Sequence, residues 1–119
     1  MNLHAARVPE SAATAVITFP AEVDLSNAGD ILAQALRLVR AGTPGVVFDL
    51  TACTFCDSSG PNIIFRTRAR TEAARVPLVV VLPERGIVRK ICDIAGVTRD
   101  IDVAPDLESA RTRIRAAGG

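Results

Sequence analysis

Apolar residues along the chain form short continuous runs that alternate with longer segments of helical spacing. The runs at residues 14–19, 45–50 and 78–82 are rich in β-branched side chains and are flanked by proline on at least one side, which is typical of β-strands. The run at residues 45–50 shows no polar alternation, which predicts a strand buried on both faces. Shorter strands are predicted at residues 2–7, on a sheet edge, and at residues 101–103.

Four helices are predicted in the intervals between these strands. The first begins near Ser26, which can cap it, and ends at Gly42 and Pro44. The second begins near residues 58–61, the third spans residues 86–95, and the fourth spans residues 107–117. The side chains predicted to face the core are Ala28, Ile31, Leu32, Ala35, Leu36 and Val39, then Ile63, Ile64 and Thr67, then Ile87, Val88, Ile91 and Ala95, then Leu107, Ala110 and Ile114.

This order of elements predicts an α/β fold, with an open mixed sheet of four to five strands packed with about four helices. The length of 119 residues suits a single domain over residues 1–119, with a core from about residue 12 to residue 113 and loose ends. Because the chain has no Trp or Tyr and only four Phe, the core is expected to be aliphatic.

The charge and hydropathy of the chain exclude several classes of partner. A net charge of +1 argues against nucleic-acid binding and against electrostatic attachment to anionic membranes. No apolar run approaches the roughly 18–20 residues that cross a bilayer, and the first ten residues lack the apolar stretch of a signal peptide. We therefore expect a soluble, cytoplasmic protein.

Catalytic and metal chemistry find little support in the sequence. His4 is the only histidine, so a Ser-His-Asp triad or a histidine metal site is not expected. A phosphate-binding glycine loop followed by lysine is missing, and the serines near Gly60 do not have nucleophile-elbow spacing. We expect no enzyme activity, no metal and no cofactor.

Two other features allow alternative interpretations. Cys53 and Cys56 have the spacing of a redox pair, but they are predicted to follow a strand rather than to open a helix, so two buried apolar residues are the simpler interpretation and a regulatory disulfide is the alternative. Arg66 and Arg70, with the neighbouring Arg68 and Arg75, form either the solvated side of a helix or a partner contact.

The loop at residues 57–60 carries the main functional hypothesis. It follows a buried strand and opens a helix, at the strand end where open α/β sheets bind ligands and partners. A phosphoryl group on Ser58 would meet the positive end of the helix dipole and would be repelled by Asp57 and by Asp24, which is expected at the same sheet edge. Gly60 would allow a second backbone to approach. The alternative is an ordinary helix cap.

The segments that flank these positions resemble a known family. The chain is similar to the STAS-domain anti-sigma factor antagonists of bacteria over about residues 12–113. The resemblance lies in a hydrophobic-Asp-Ser-Ser/Thr-Gly signature at residues 56–60, an Ala-Glu-Val-Asp segment at residues 21–24 and a hydrophobic-Asp-hydrophobic-x-Gly helix ending at residues 91–97. The chain departs from the family pattern at Ala21, which replaces glycine, and at Pro61 and Asn62, which replace leucine and glycine.

The resemblance implies a phosphorylation switch on Ser58. The unphosphorylated domain would bind an anti-sigma factor that is also a serine kinase and would release a sigma factor, and a serine phosphatase would reset it. The implied partner-binding residues are Asp24, Asp57, Ser59, Gly60 and Asn62. A non-switching STAS scaffold within a transporter or sensory complex is the alternative, and the oligomeric state, monomer or weak dimer, stays open.

Overall fold

The computed structural model describes residues 13–118, so the predicted edge strand at residues 2–7 and His4 lie outside the described residues. Six strands and five helices occur within this range. In chain order they are β1 (Ala15–Thr18), β2 (Glu22–Val23), α1 (Leu25–Arg40), β3 (Val46–Asp49), β4 (Phe55–Cys56), α2 (Ser59–Ala74), β5 (Leu78–Val81), α3 (Ile87–Ala95), α4 (Val97–Asp100), β6 (Asp102–Ala104) and α5 (Leu107–Gly118).

Four strands form the main sheet, in the order β1-β3-β5-β6, and the α/β fold is confirmed. All three strand pairs of this sheet are parallel. The sheet was expected to be mixed, but among residues 13–118 every strand pair is parallel. The two strands of each pair are separated along the chain by at least one helix, and such crossover connections produce parallel neighbours.

The central strand β3 is buried on both faces, as its unbroken apolar run predicts. Val46 and Phe48 belong to the core beneath α1, α2 and α3, whereas Val47 belongs to the core beneath α5. All three side chains are fully buried. The ring of Phe48 packs edge-to-face on Phe19 at a centroid separation of 5.3 Å. The aliphatic core therefore has one aromatic pair at its centre.

Two helices differ from their predicted details. Helix α1 is capped by Asp24 rather than by Ser26, because the Asp24 carboxylate accepts a hydrogen bond from the Ser26 amide. On α3, Ile87 is 46% exposed and Ala95 is also exposed, while the buried positions are Val88 and Cys92. Several apolar residues on both sides of α3 make its inward face ambiguous in the sequence.

A second, two-stranded sheet positions the candidate site. Strands β2 and β4 pair in parallel, with Glu22 opposite Phe55 and Val23 opposite Cys56. Each strand leads into a helix within three residues, so α1 and α2 begin side by side and run in the same direction. The sequence analysis did not predict these strands, because two residues carry no recognisable period.

Candidate functional site

Ser58 lies at the exposed N-terminal end of α2. Its backbone is already helical, with φ −62° and ψ −13°, and its carbonyl accepts a helix hydrogen bond from the Asn62 amide at 3.1 Å. Its side chain makes no capping hydrogen bond. A capping serine normally has an extended backbone that turns its hydroxyl back toward the helix amides. The hydroxyl of Ser58 is therefore available to another molecule.

Asp57 makes a side-chain hydrogen bond to the backbone at this helix start. Its carboxylate accepts a hydrogen bond from the Ser59 amide at 2.8 Å. Its own amide donates to the Val23 carbonyl at 3.3 Å, which continues the β2–β4 pairing. Asp57 is half-buried and Ser59 is only 8% exposed, whereas Ser58 is exposed. Of the two adjacent serines, Ser58 is therefore the one that faces outward.

Asp24 stands at the equivalent position after the neighbouring strand. Its carboxylate accepts from the Ser26 amide at 2.8 Å and from the Ser26 hydroxyl at 2.5 Å, and its amide donates to the Asn27 side chain at 3.1 Å. The hydrogen bonds from Ser26 hold the pKa of this carboxyl below its ordinary value of 3.8. Since Val23 pairs with Cys56, the ionised Asp24 and the Ser58 loop lie at the same end of the small sheet.

A groove of about 550 Å³ runs between α1 and α2 from this point. Leu25, at its mouth, is 88% exposed and offers an apolar side chain beside Ser58. Asn62 is exposed one turn after Ser58 and lies on the same groove wall. The complete lining is Leu25, Ala28, Gly29, Leu32, Ser58, Ser59, Asn62, Ile63 and Arg66.

The arginines of α2 have separate roles. Arg68 donates to the Asp100 carbonyl at 2.7 Å and pairs with Glu72 at 3.0 Å, so it ties α2 to the end of α4. Arg66 lines the groove, and no carboxylate within residues 13–118 forms an ion pair with it. Arg70 is exposed outside the groove. The sequence cluster therefore supplies one arginine to the candidate site.

Gly60 has a packing role beneath the loop. A Cβ atom placed on it would lie 2.8 Å from the Cys56 Sγ and 3.1 Å from the Cys56 Cβ. The glycine is buried, so the close neighbour that requires its missing side chain is Cys56 within the same domain. The expected approach of a partner backbone does not explain this glycine.

The cysteine pair is buried behind the site. All three cysteines, Cys53, Cys56 and Cys92, are free. Burial raises the pKa of Cys56 to about 11 and that of Cys92 to about 12. The Cys53 thiol, whose pKa burial also raises, donates to the Phe55 carbonyl at 3.3 Å. Reactive thiols have lowered pKa values and partial exposure, so this environment favours the packing interpretation over a redox pair.

The described part of the chain offers no candidate metal site and no candidate membrane-spanning helix. Residues 13–118 contain no grouping of three acidic, histidine or cysteine side chains that could hold a metal ion. Each helix in that range is too short or too polar to cross a bilayer.

Comparisons with known proteins agree with this architecture. The model of the STAS domain matches residues 5–110. The anti-sigma factor antagonist SpoIIAA in its unphosphorylated form has a TM-score of 0.68 at 20% identity, over 91% of this chain and 93% of that chain. The phosphorylated form of the Bacillus cell fate determinant SpoIIAA has a TM-score of 0.68 at 21% identity, over 91% of this chain and 96% of that chain.

A third structure, from Thermotoga maritima, has a TM-score of 0.72 at 14% identity, over 84% of this chain and 87% of that chain. No curated protein sequence matched the chain. At these sequence identities the solved structures establish the fold, and the match to the family model establishes family membership. The match over residues 5–110 and the parallel sheet with its covering helices identify the chain as a member of the STAS domain family.

Proposed function

We propose that this domain is an anti-sigma factor antagonist controlled by phosphorylation of Ser58. In the unphosphorylated form it binds an anti-sigma factor that has serine kinase activity, and a sigma factor is released. Phosphorylation of Ser58 by that partner ends the interaction, and a serine phosphatase restores it. The domain acts in the cytoplasm as a binding protein and not as an enzyme, and it needs no cofactor because the kinase supplies ATP.

The observation that carries this proposal is the unused hydroxyl of Ser58. This side chain is exposed and occupies the capping position of α2 without capping it. The Asp57 carboxylate accepts from the Ser59 amide, and the Gly60 amide, which a capping serine would bind, donates instead to the Asp57 carbonyl at 3.1 Å. A kinase could therefore modify Ser58 without removing any hydrogen bond that holds the helix start together.

The charges around Ser58 explain how a phosphoryl group could change binding without unfolding the domain. The new group adds about −1.5 to −2 charges, which the positive end of the α2 dipole partly stabilises. The ionised Asp24 and the neighbouring Asp57 oppose it. The result is a concentrated negative surface, and a partner that fits the neutral serine would be repelled by it.

The remaining candidate residues have separable roles in the proposal. Asn62 and Asp24 contact the partner, because Asn62 is exposed on the groove wall beside Ser58 and the half-buried Asp24 lies at the same end of the small sheet as the Ser58 loop. Asp57 and Ser59 hold the loop in position through their mutual hydrogen bond. Gly60 contributes by allowing α2 to pack closely on Cys56 rather than by touching the partner.

The solved relatives support the proposal at the level of fold. SpoIIAA has been determined in an unphosphorylated and in a phosphorylated form, and this chain matches both with the same TM-score of 0.68. A fold that is found in a phosphorylated protein is compatible with the surface switch that we propose at Ser58.

A pull-down from native cell extract tests the proposal. Wild-type, Ser58→Ala and Ser58→Glu domains serve as baits, and mass spectrometry identifies the recovered proteins. We expect wild type and Ser58→Ala to recover an ATP-dependent serine kinase and Ser58→Glu to lose it. Recovery of the same partners by all three baits, with no kinase among them, would instead support a non-switching scaffold within a transporter or sensory complex.

A further inference from the structure

The groove between α1 and α2 holds two features that the phosphorylation switch does not use. The first is Gly29, which lies in the interior of α1 and lines the groove. A Cβ atom placed on Gly29 would meet no atom within 4 Å, so the space above it is open. Glycine in a helix interior costs stability relative to alanine, and neither its φ angle nor any neighbour requires it here.

The second feature is Arg66, whose charge has no partner of its own. It lines the groove on the wall that also carries Ser58 and Asn62, at successive helical turns. Its neighbours one turn away along α2 are Asn62 and Arg70, and no carboxylate within residues 13–118 pairs with it. The groove therefore ends in an unneutralised guanidinium.

Between these features the groove has an apolar lining. Leu25, Ala28 and Leu32 lie on one wall, and Ile63, which is 1% exposed, lies on the other. From Leu25 to Leu32 the helix rises about 10 Å, which is long enough for about two turns of a partner helix or a short extended segment. The chemistry changes along this length, from the uncharged Ser58 at one end, through the apolar residues, to the basic Arg66 at the other.

We propose that the α1–α2 groove binds a segment of the partner protein that inserts an apolar side chain over Gly29 and places a carboxylate on Arg66. This inference rests on the proposed function, since the partner is the serine kinase recruited at Ser58. Charge complementarity fixes the direction in which the partner segment lies: its acidic end contacts Arg66, and its apolar side chain fills the open space above Gly29. The groove sets affinity and orientation, and Ser58 at its mouth sets the state of the switch.

The test uses the purified recombinant kinase recovered by the wild-type bait, titrated calorimetrically with variants of the full chain. Gly29→Phe projects a ring into the groove from a position where its Cβ meets no atom within 4 Å, and Gly29→Ala is its matched control. Arg66→Glu reverses the groove charge, and Arg70→Glu is the control on the same helix outside the groove. Circular dichroism and thermal melting establish that each variant is folded.

We expect Gly29→Phe and Arg66→Glu each to weaken binding about tenfold or more, while Gly29→Ala and Arg70→Glu stay within about threefold of wild type. Cross-linking mass spectrometry of the wild-type complex identifies the acidic kinase residue nearest to Arg66. Replacing that residue by lysine should restore binding to Arg66→Glu. If Gly29→Phe and Arg66→Glu bind like wild type while Ser58→Glu does not, the groove inference is wrong and the switch stands. If no bait recovers a serine kinase, both proposals fall.

Discussion

The two strand–helix junctions of the small sheet are built alike but use their polar side chains differently. Strands β2 and β4 pair in register, and each runs directly into a long helix. At the first junction Asp24 caps α1 and forms a reciprocal box with Asn27. At the second junction Ser58 occupies the capping position with a helical backbone and no capping bond.

This difference separates a structural residue from a candidate modification site. The Asp24 carboxylate is committed to the helix that follows it, so its removal should cost stability. The Ser58 hydroxyl is committed to nothing within the described residues, so its removal should cost only function. Sequence alone does not distinguish the two positions, because Asp and Ser are both favoured at helix starts.

The largest effect is expected from disrupting the hydrophobic core on which both strand–helix junctions pack. Ile63 is 1% exposed and packs in the core between the sheet and the helices. Ile63→Asp would bury an unpaired charge, and we expect a loss of about 5 kcal/mol or more, which is comparable with the whole stability of a small domain. Far-UV circular dichroism should show a largely unfolded chain, and a native spectrum with a cooperative melt would contradict this placement of Ile63.

A smaller effect is expected from the glycine that brings α2 onto β4. Gly60→Ala would place its Cβ 2.8 Å from the Cys56 Sγ, so we expect about 1–3 kcal/mol of destabilisation by overpacking. Urea unfolding should show that Cys56→Ala relieves much of this cost in the double variant. Gly29→Ala, at the open glycine of α1, serves as the control and should raise stability by about 0.5–1 kcal/mol. Equal effects at the two glycines would refute the assigned packing.

The comparison itself is sharpened by truncating both capping positions. Asp24→Ala should lower the melting temperature by about 4–8 °C, because the amide of Ser26 loses its acceptor. Ser58→Ala should change the melting temperature by less than about 2 °C, since no helix amide depends on its hydroxyl. Scanning calorimetry at neutral pH measures both, and a large loss in Ser58→Ala would make Ser58 a structural cap after all.

The pH dependence of stability offers a further contrast between the junctions. The pKa of Asp24 is lowered in the folded domain, so the unfolded chain binds this proton more readily as the pH falls. Its stabilising contribution is therefore fully present above about pH 4, its unfolded pKa, and is lost as the pH falls through the lower folded pKa. Melting temperatures between pH 2 and pH 6 should fall less steeply for Asp24→Asn than for wild type, whereas Ser58→Ala should follow wild type.

The smallest effect is expected from the thiols beneath the second junction. Because burial raises the pKa of Cys56 to about 11 and that of Cys92 to about 12, few thiolates exist at pH 8. Iodoacetamide should label the native domain slowly and the urea-unfolded chain rapidly, as followed by intact mass. A mass loss of two hydrogens in non-reduced protein from native cells, with the bond mapped to the Cys53–Cys56 peptide, would instead support a disulfide between Cys53 and Cys56.

Local sequence patterns predicted the layers of this fold but not its small connecting sheet. The β-branched run of β1 identified that strand, and the apolar runs of β3 and β5 identified theirs, because the near-continuous burial of β3 and β5 leaves a long apolar signal. Strands β2 and β4 have only two residues each, and their pairing depends on contacts between distant segments. The short helix α4 and the pairing of Val23 with Cys56 could not be read from periodicity for the same reason.

The start of α2 was located correctly in the chain, but the hydrogen bonds and packing around it were not predicted. The sequence placed Asp57 and Ser58 at the start of α2, where the structure has them. It could not show that Asp57 accepts from the Ser59 amide while Ser58 stays without a capping bond, or that Gly60 is needed against Cys56, because these facts depend on side-chain geometry. The exposed Ile87 on α3 was assigned to the core for a similar reason, since several apolar residues competed for one helix face.

Phosphosite mapping of the endogenous protein tests the central claim most directly. The chain would be isolated from native cells with and without its bound partner, digested, and analysed by mass spectrometry over the peptide that contains Ser58 and Ser59. We expect one phosphoryl group on Ser58 in the free fraction and an unmodified Ser58 in the partner-bound fraction. Phosphate on Ser59 instead, or an unmodified Ser58 in both fractions under all growth conditions, would contradict the switch.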